Sequence, residues 1–206
     1  DLQEKFDDEF AEFPHNGEIS DEIKGVRKYS PYFLGPIILA ATDDGFSIID
    51  GQQRLTTITL LLICLDRLQA KSIKPIPITD LVYSETYGEK DFTIKVDDRM
   101  ECMNALLKGE EYDGPANKSV ENIIKRFEDI DSIIQSWLED HEQKTVLPLF
   151  ITWLIQRVIF VEIIPATTVE AYKIFQTMND RGLGLTSTDL LKGFLLQKIE
   201  NEQDRN

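Results

Sequence analysis

Apolar residues recur at helical spacing at Leu2, Phe6, Phe10 and Phe13, and again far more densely between Leu55 and Leu68. The first pattern predicts an amphipathic helix, followed by a polar stretch to about Lys28 whose structure the pattern leaves open. Residues 32–40 and 46–49 read as two strands, with Asp43-Asp44-Gly45 as the turn of a hairpin. From 52 to about 70 the pattern is helical: Leu55, Ile58, Leu61, Leu62, Leu65 and Leu68 form one face, and Leu60, Ile63 and Cys64 make the rest nearly as apolar. Such a helix is buried on most sides and belongs at the centre of the fold.

Residues 72–93 hold Pro75, Pro77 and Gly88 among β-branched and aromatic residues, which predicts short strands or an extended connection and the boundary between two lobes. Beyond it the spacing predicts one helix through Val96, Met100, Met103 and Leu107, a loop over 109–117, and a longer helix through Val120, Ile123, Phe127, Ile130, Ile134 and Trp137. Residues 146–155 form another amphipathic helix. Residues 157–164, rich in Val and Ile and closed by Pro165, read as a strand buried in the sheet, with Glu162 exposed at an edge or paired. A helix over 169–178, a loop over 179–185 and a final helix over 187–199, with a capping-box match at Thr186-x-x-Asp189, complete an α+β pattern without internal repeats.

The densest chemistry lies where the second strand hands over to the central helix, at Asp50-Gly51-Gln52-Gln53-Arg54. A helix amino terminus offers free amides and the positive end of its dipole to an anion, and Arg54 adds a planar fork suited to phosphate or carboxylate. Asp50-x-x-Gln53 also matches a capping box, which accounts for those two residues and leaves Gln52 and Arg54 unexplained. A second polar cluster, Asn179-Asp180-Arg181-Gly182 with Gly184, lies between the last two helices. Its plain reading is a helix C-cap with solvated charges; its functional reading requires Arg181 and Arg54 to converge on one cavity that would take a polyphosphate or phosphodiester.

Charge narrows the choice, because 37 acidic against 22 basic residues give a net charge of -15 over 206 residues. A surface that acidic repels nucleic acid at long range, so a DNA contact needs a local basic patch or another part of a larger protein. The two cysteines, Cys64 and Cys102, fall in apolar helical patterns and read as packing residues of a reducing cytoplasm. No signal peptide is visible and the longest apolar run, 58–65, is too short to span a membrane. A chain that starts at Asp1 and ends in polar Asn201 to Asn206 reads as a piece of a longer protein. There is no phosphate-loop motif, no His-Glu-x-x-His and no Cys-x-x-Cys; His15 and His141 lie in polar surroundings and are expected to be exposed. Asp50 is the best carboxylate to hold a hydrated divalent metal or orient a water, with Gln52 or Gln53 positioning it and Arg54 neutralising phosphate charge.

The block from Asp50 through Leu55-Thr56-Thr57, preceded by Tyr32-Phe33-Leu34-Gly35, resembles the amino-terminal domain of GmrSD-type restriction enzymes. The segment from Ala171-Tyr172-Lys173-Ile174-Phe175 to Asn179-Asp180-Arg181-Gly182, continuing through Asp189-Leu190-Leu191-Lys192, is similar to the second hallmark of that family, so the likeness covers most of residues 1–200. The resemblance implies a small ParB/sulfiredoxin-like mixed sheet with a mostly helical elaboration. It implies one domain over 1–206, with 1–95 as part of the core, 96–156 as a helical insertion and 157–206 returning to the core. It further implies a cytoplasmic prokaryotic defence protein that attacks modified phage DNA, acting with a carboxy-terminal nuclease domain or partner subunit. Carried over residue by residue, Asp50, Gln52, Gln53 and Arg54 would be catalytic and Asp50 would hold Mg²⁺. Gly51, Arg54, Thr56, Asn179, Arg181 and Gly182 would bind a nucleoside triphosphate. Two departures stand out: the Gln-Arg-Pro-like strand that usually opens such relatives, and the His-containing nuclease domain that often follows, are both missing from these residues.

Three readings follow. The leading one is a nucleotide-binding, NTP-hydrolysing module that regulates DNA cleavage. The second is a metal-dependent endonuclease or nickase built on Asp50, and the third a non-catalytic recognition domain in which both blocks are caps.

Overall fold

A computed structural model describes residues 1–15, 17–43, 45–86, 89–92 and 99–180. Their order is α1 (Leu2–Glu12), α2 (Ile19–Gly25) with a 3-10 turn Val26–Lys28, β1 (Tyr32–Thr42), β2 (Gly45–Asp50), α3 (Gln52–Gln69), α4 (Thr79–Val82), β3 (Tyr83–Thr86), β4 (Glu89–Phe92), α5 (Met100–Lys108), α6 (Lys118–Glu139), α7 (Gln143–Arg157), β5 (Val158–Ile163) and α8 (Thr168–Asp180). The fold is α+β, with the described strands in a three-stranded sheet of order β2-β1-β5 and a separate β3-β4 hairpin. The chain divides into two compact units, one of Asp1–Phe33 and Gln53–Ile159, the other of Leu34–Gln52 and Phe160–Asn206.

The first unit is built on α3, whose residues from Thr59 to Leu65 are all buried, as the near-continuous apolar pattern predicts. Phe6 of α1, wholly buried, is ringed by Phe10, Tyr29, Trp137, Phe150 and Trp153 at centroid distances of 5.2 to 6.2 Å. The stretch that the periodicity leaves open forms α2 and the 3-10 turn, and it is anchored by Val26 and Tyr29, both buried. Arg157 Nε donates to the Tyr29 carbonyl at 2.6 Å, which ties that turn to the end of α7. In α6, Val120, Ile123, Phe127, Ile134 and Leu138 form the buried stripe, and Asn117 caps its first turn by accepting from Ser119 N and Val120 N. Helix α7 starts earlier than the expected 146 and carries Pro148 in its interior. The Gln69 amide group, buried at the end of α3, holds the following loop by donating to the Ile76 carbonyl and accepting from Ile76 N.

The second unit contains the antiparallel β1/β2 hairpin, in register from Thr42↔Gly45 to Ile38↔Asp50 with an irregularity between Ile38 and Leu39. Ile38, Ala40 and Ala171 form its small core, with Ile49, Ile163, Ile174 and Phe175 packed around them. The pattern over 157–164 predicts a strand buried in the sheet. Instead β5 lies at the end of the strand order and leaves Ile159 and Val161 exposed, because a short apolar run looks the same in a central strand as at an edge. Glu162 is exposed there, one of the two outcomes expected for it. No helix among the described residues is long and apolar enough to cross a membrane.

Candidate functional site

Strand β2 ends at Asp50 and α3 begins at Gln52, so the whole reversal falls on Gly51. Its φ of +95° is open to glycine and strained for other residues, and a Cβ there would sit 3.4 Å from Ile37 Cγ1 and 3.5 Å from Ile37 Cα. Gly51 thereby occupies the N-cap position, and Asp50 stands one residue ahead of it. The Asp50 carboxylate, half-buried, accepts no hydrogen bond among the described residues, so the capping box that its spacing allows is not formed. Gln52 serves the backbone: its Nε2 donates to the Ile48 carbonyl at 2.8 Å and braces the turn against its own strand. Arg54 is half-buried and already engaged in an interaction within the fold.

Gln53, Thr56 and Thr57 lie on one side of the first turns of α3 and form one wall of a polar cleft of about 460 Å³ within the first unit. The opposite wall comes from Arg99, just before α5, and from the first turns of α6: Ser119, Asn122, Ile123, Lys125, Arg126 and Asp129. Arg99 is held in place by Nε donation to Ser119 Oγ at 2.6 Å, and among the described residues its outer guanidinium nitrogens make no further hydrogen bond or ion pair. Among the described residues neither Lys125 nor Arg126 takes part in an ion pair. Residues of the first turns of α3, 18 residues long, and of α6, 22 residues long, thus border the cleft together. The described lining therefore holds three cations against the one carboxylate of Asp129, on a chain of net charge -15.

The two helices are locked together beneath the cleft. Cys64 Sγ on α3 donates to Asp131 Oδ1 on α6 at 3.5 Å, and burial, with the Asp131 charge behind it, pushes the thiol up to about 12. Gln135 Nε2 donates to the other Asp131 oxygen at 2.6 Å, and the Arg67 guanidinium lies 5.3 Å from the Phe127 ring centroid. Cys64 and Cys102 are buried free thiols, in line with their expected packing role.

Asn179 and Asp180 close α8, whereas Arg181, Gly182 and the rest of the second polar cluster lie outside the described residues, as do the expected final helix and the convergence of Arg181 with Arg54. The sequence pattern does not single out Arg99, Lys125 and Arg126, since on an amphipathic helix such residues look like an ordinary solvated face. Their signal is position: Lys125 and Arg126 stand two turns into α6, and Arg99 immediately before α5. The two histidines need a correction: they are about four-fifths buried, with side-chain exposures of 18% for His15 and 21% for His141, because both pack against Phe10. No group of three or more His, Cys, Asp or Glu residues that could hold a metal ion occurs among the described residues. A metal held by Asp50 alone would have a single-carboxylate site, a mode open to Mg²⁺, which ordinarily takes one or two carboxylates and completes its shell with water and substrate phosphates.

Among curated proteins none matches the chain. A model of the family described as GmrSD restriction endonuclease, N-terminal domain, matches residues 4–196. The chain belongs to this family and is accordingly part of a restriction and phage-defence protein.

Proposed function

We propose that this restriction-family domain is a nucleotide-binding module that takes a nucleoside triphosphate with Mg²⁺ at the start of α3 and hydrolyses it to control DNA cleavage by the full-length protein. The observation that supports the reading most is the cleft, where Gln53, Thr56 and Thr57 face Arg99, Lys125 and Arg126 across about 460 Å³, a size suited to a small phosphorylated ligand. Gln53 and Thr56 present donors to phosphate oxygens or to an attacking water, and the first amides of α3 add their partial charge. Arg54, in the same turn, screens phosphate charge. Asp50 would hold the metal, which when bound neutralises developing charge on the phosphates. Gly51 lets the backbone reverse tightly enough to set Asp50 just ahead of the helix. The family resemblance assigns nucleotide binding to Asn179, Arg181 and Gly182 as well, and the proposal keeps them in that role. DNA would be met through other parts of the full-length protein, a nuclease domain or partner subunit.

Calorimetry with ATP, GTP and CTP in the presence of Mg²⁺, set beside Gln53→Ala and Asp50→Ala variants of unchanged melting temperature, tests the reading. Loss of one contact to a charged phosphate costs about 1.5 to 3 kcal/mol, so Gln53→Ala should weaken binding tenfold or more. Asp50→Ala should remove the Mg²⁺ dependence. Absence of nucleotide binding by the parent, together with metal-dependent nicking of plasmid DNA that disappears in Asp50→Ala, would replace this reading with a nuclease acting directly on DNA. The cations of the cleft are equally able to contact a phosphodiester; the overall charge of -15 weighs against it.

A further inference from the structure

We infer that the cleft reads the phosphate chain of its ligand and is nearly blind to the base, with Arg99, Lys125 and Arg126 acting as a triphosphate clamp supplied by the α5–α6 region. The inference rests on the proposed nucleotide reading and adds residues that the Asp50 to Arg54 block does not contain. Among the described residues lining the cleft, Ile123 is the one apolar side chain; the others are hydroxyls, amides, three cations and Asp129. Recognition of a base asks for an apolar or aromatic slot that excludes water, and this wall is made of groups that bind oxyanions instead.

The cations are also arranged for such a ligand. The Arg99 guanidinium is oriented by Ser119 through a 2.6 Å bond, and Ser119 is itself fixed by the Asn117 cap at 2.9 Å, so this donor is preorganised on the first turn of a long helix. Lys125 and Arg126 are exposed and take no part in an ion pair among the described residues, so phosphate can engage them without breaking an existing pair. The one carboxylate on the wall, Asp129, acts in the opposite sense: it repels a ligand that lacks cations and favours one that arrives with a divalent ion. A triphosphate carrying its metal meets all of these groups, whereas a monophosphate reaches only part of the set.

The test is calorimetry of the intact chain with Mg²⁺ and, in turn, inorganic triphosphate, ATP, GTP, CTP and AMP, repeated on a Lys125→Gln/Arg126→Gln double variant and on Arg99→Gln. Expected are affinities within about threefold across the four triphosphate ligands, AMP at least tenfold weaker, and a loss of tenfold or more for every triphosphate in both variants. ATP binding with no binding of inorganic triphosphate would overturn the inference, since the base would then be read. Nucleotide binding that is lost in Gln53→Ala and unchanged in the cation variants would also overturn it while leaving the nucleotide reading in place. Cation-dependent binding of inorganic triphosphate alone would uphold the clamp and reject the nucleotide; binding of a DNA duplex in place of every triphosphate would overturn both.

Discussion

Two cavities lined by described residues of the first unit are of similar size and opposite character. One, of about 550 Å³, is lined by Phe10, His15, Glu22, Asp140, His141 and Glu142 among others; the second is the cleft of about 460 Å³ bounded by α3 and α6. In the first, histidines and carboxylates face one another, although His15 Nδ1 and Glu22 Oε2 meet without a hydrogen bond. His15 Nε2 faces the Phe10 carbonyl at 2.8 Å and its Nδ1 faces Glu22 Oε2 at 3.4 Å, while Gly17 N donates to the other Glu22 oxygen at 3.0 Å. His141 repeats the pattern between the Trp137 carbonyl at 2.8 Å and Asp7 Oδ1 at 3.4 Å, and Trp137 Nε1 donates to the same carboxylate. In the second cavity the cations have no such internal counterparts among the described residues. Charge answered from within stabilises a fold; charge left open is available to a ligand.

That contrast can be broken first at the floor of the paired cavity. Phe6 stacks on Phe10 at 5.5 Å, and Phe10 stacks on His15 at 3.7 Å, so one wholly buried ring supports the imidazole above it. Phe6→Ala should cost about 3 to 5 kcal/mol in denaturant unfolding, the usual range for deletion of a buried aromatic side chain. A loss under about 1 kcal/mol would mean that the α1 contacts contribute little. Triphosphate affinity of the folded variant should not change.

A smaller effect is expected where the pairing itself is removed. Glu22 has a side-chain exposure of 9%, and Glu22→Gln keeps its shape while withdrawing the charge that faces His15. We expect a destabilisation of about 1 to 3 kcal/mol, because the substitution weakens the charge-assisted bond from Gly17 N and removes the ion-pair contact to His15, and no change in anion binding. An unchanged unfolding midpoint would show that the His15–Glu22 contact at 3.4 Å carries no net stability and would remove half of the contrast.

How far these features can be read from the residues depends on whether the signal is local. Helix α3, expected over 52 to about 70, runs Gln52–Gln69, and the hairpin falls where alternation and the Asp43-Asp44-Gly45 turn put it, because period and turn chemistry are properties of neighbouring residues. The turn at Gly51 is legible for the same reason. The His15–Glu22 and His141–Asp7 pairs are not: both histidines stand in polar sequence, and only the packing of α1 on α6 and α7 brings Phe10 against them. The second wall of the cleft is equally hidden, since Gln53 and Arg126 are 73 positions apart and meet only through the α3–α6 packing that Cys64 and Asp131 pin. Sequence thus locates the first half of the candidate site and gives no sign of the half that carries the cations.

The cap of α6 offers a finer test of the open cleft. Asn117 accepts from Ser119 N at 2.9 Å and Val120 N at 3.0 Å, and Ser119 in turn orients Arg99. Asn117→Ala should cost about 1 kcal/mol of stability, as capping losses do. It should also weaken triphosphate binding by a few fold through Arg99, whereas a cap with no bearing on the cleft would change the melting temperature and leave affinity alone.

The smallest expected change in stability is the most discriminating. Lys125 and Arg126 are exposed, and neither is in an ion pair among the described residues, so Lys125→Gln/Arg126→Gln should shift unfolding by no more than about 0.5 kcal/mol. Neutralising one charge in the paired cavity would then cost more stability than neutralising two in the cleft, although the cleft variant alone loses triphosphate affinity. If instead the double variant unfolded as readily as Glu22→Gln, the cations would have partners within the fold and the cleft would be a structural feature of the α3–α6 packing.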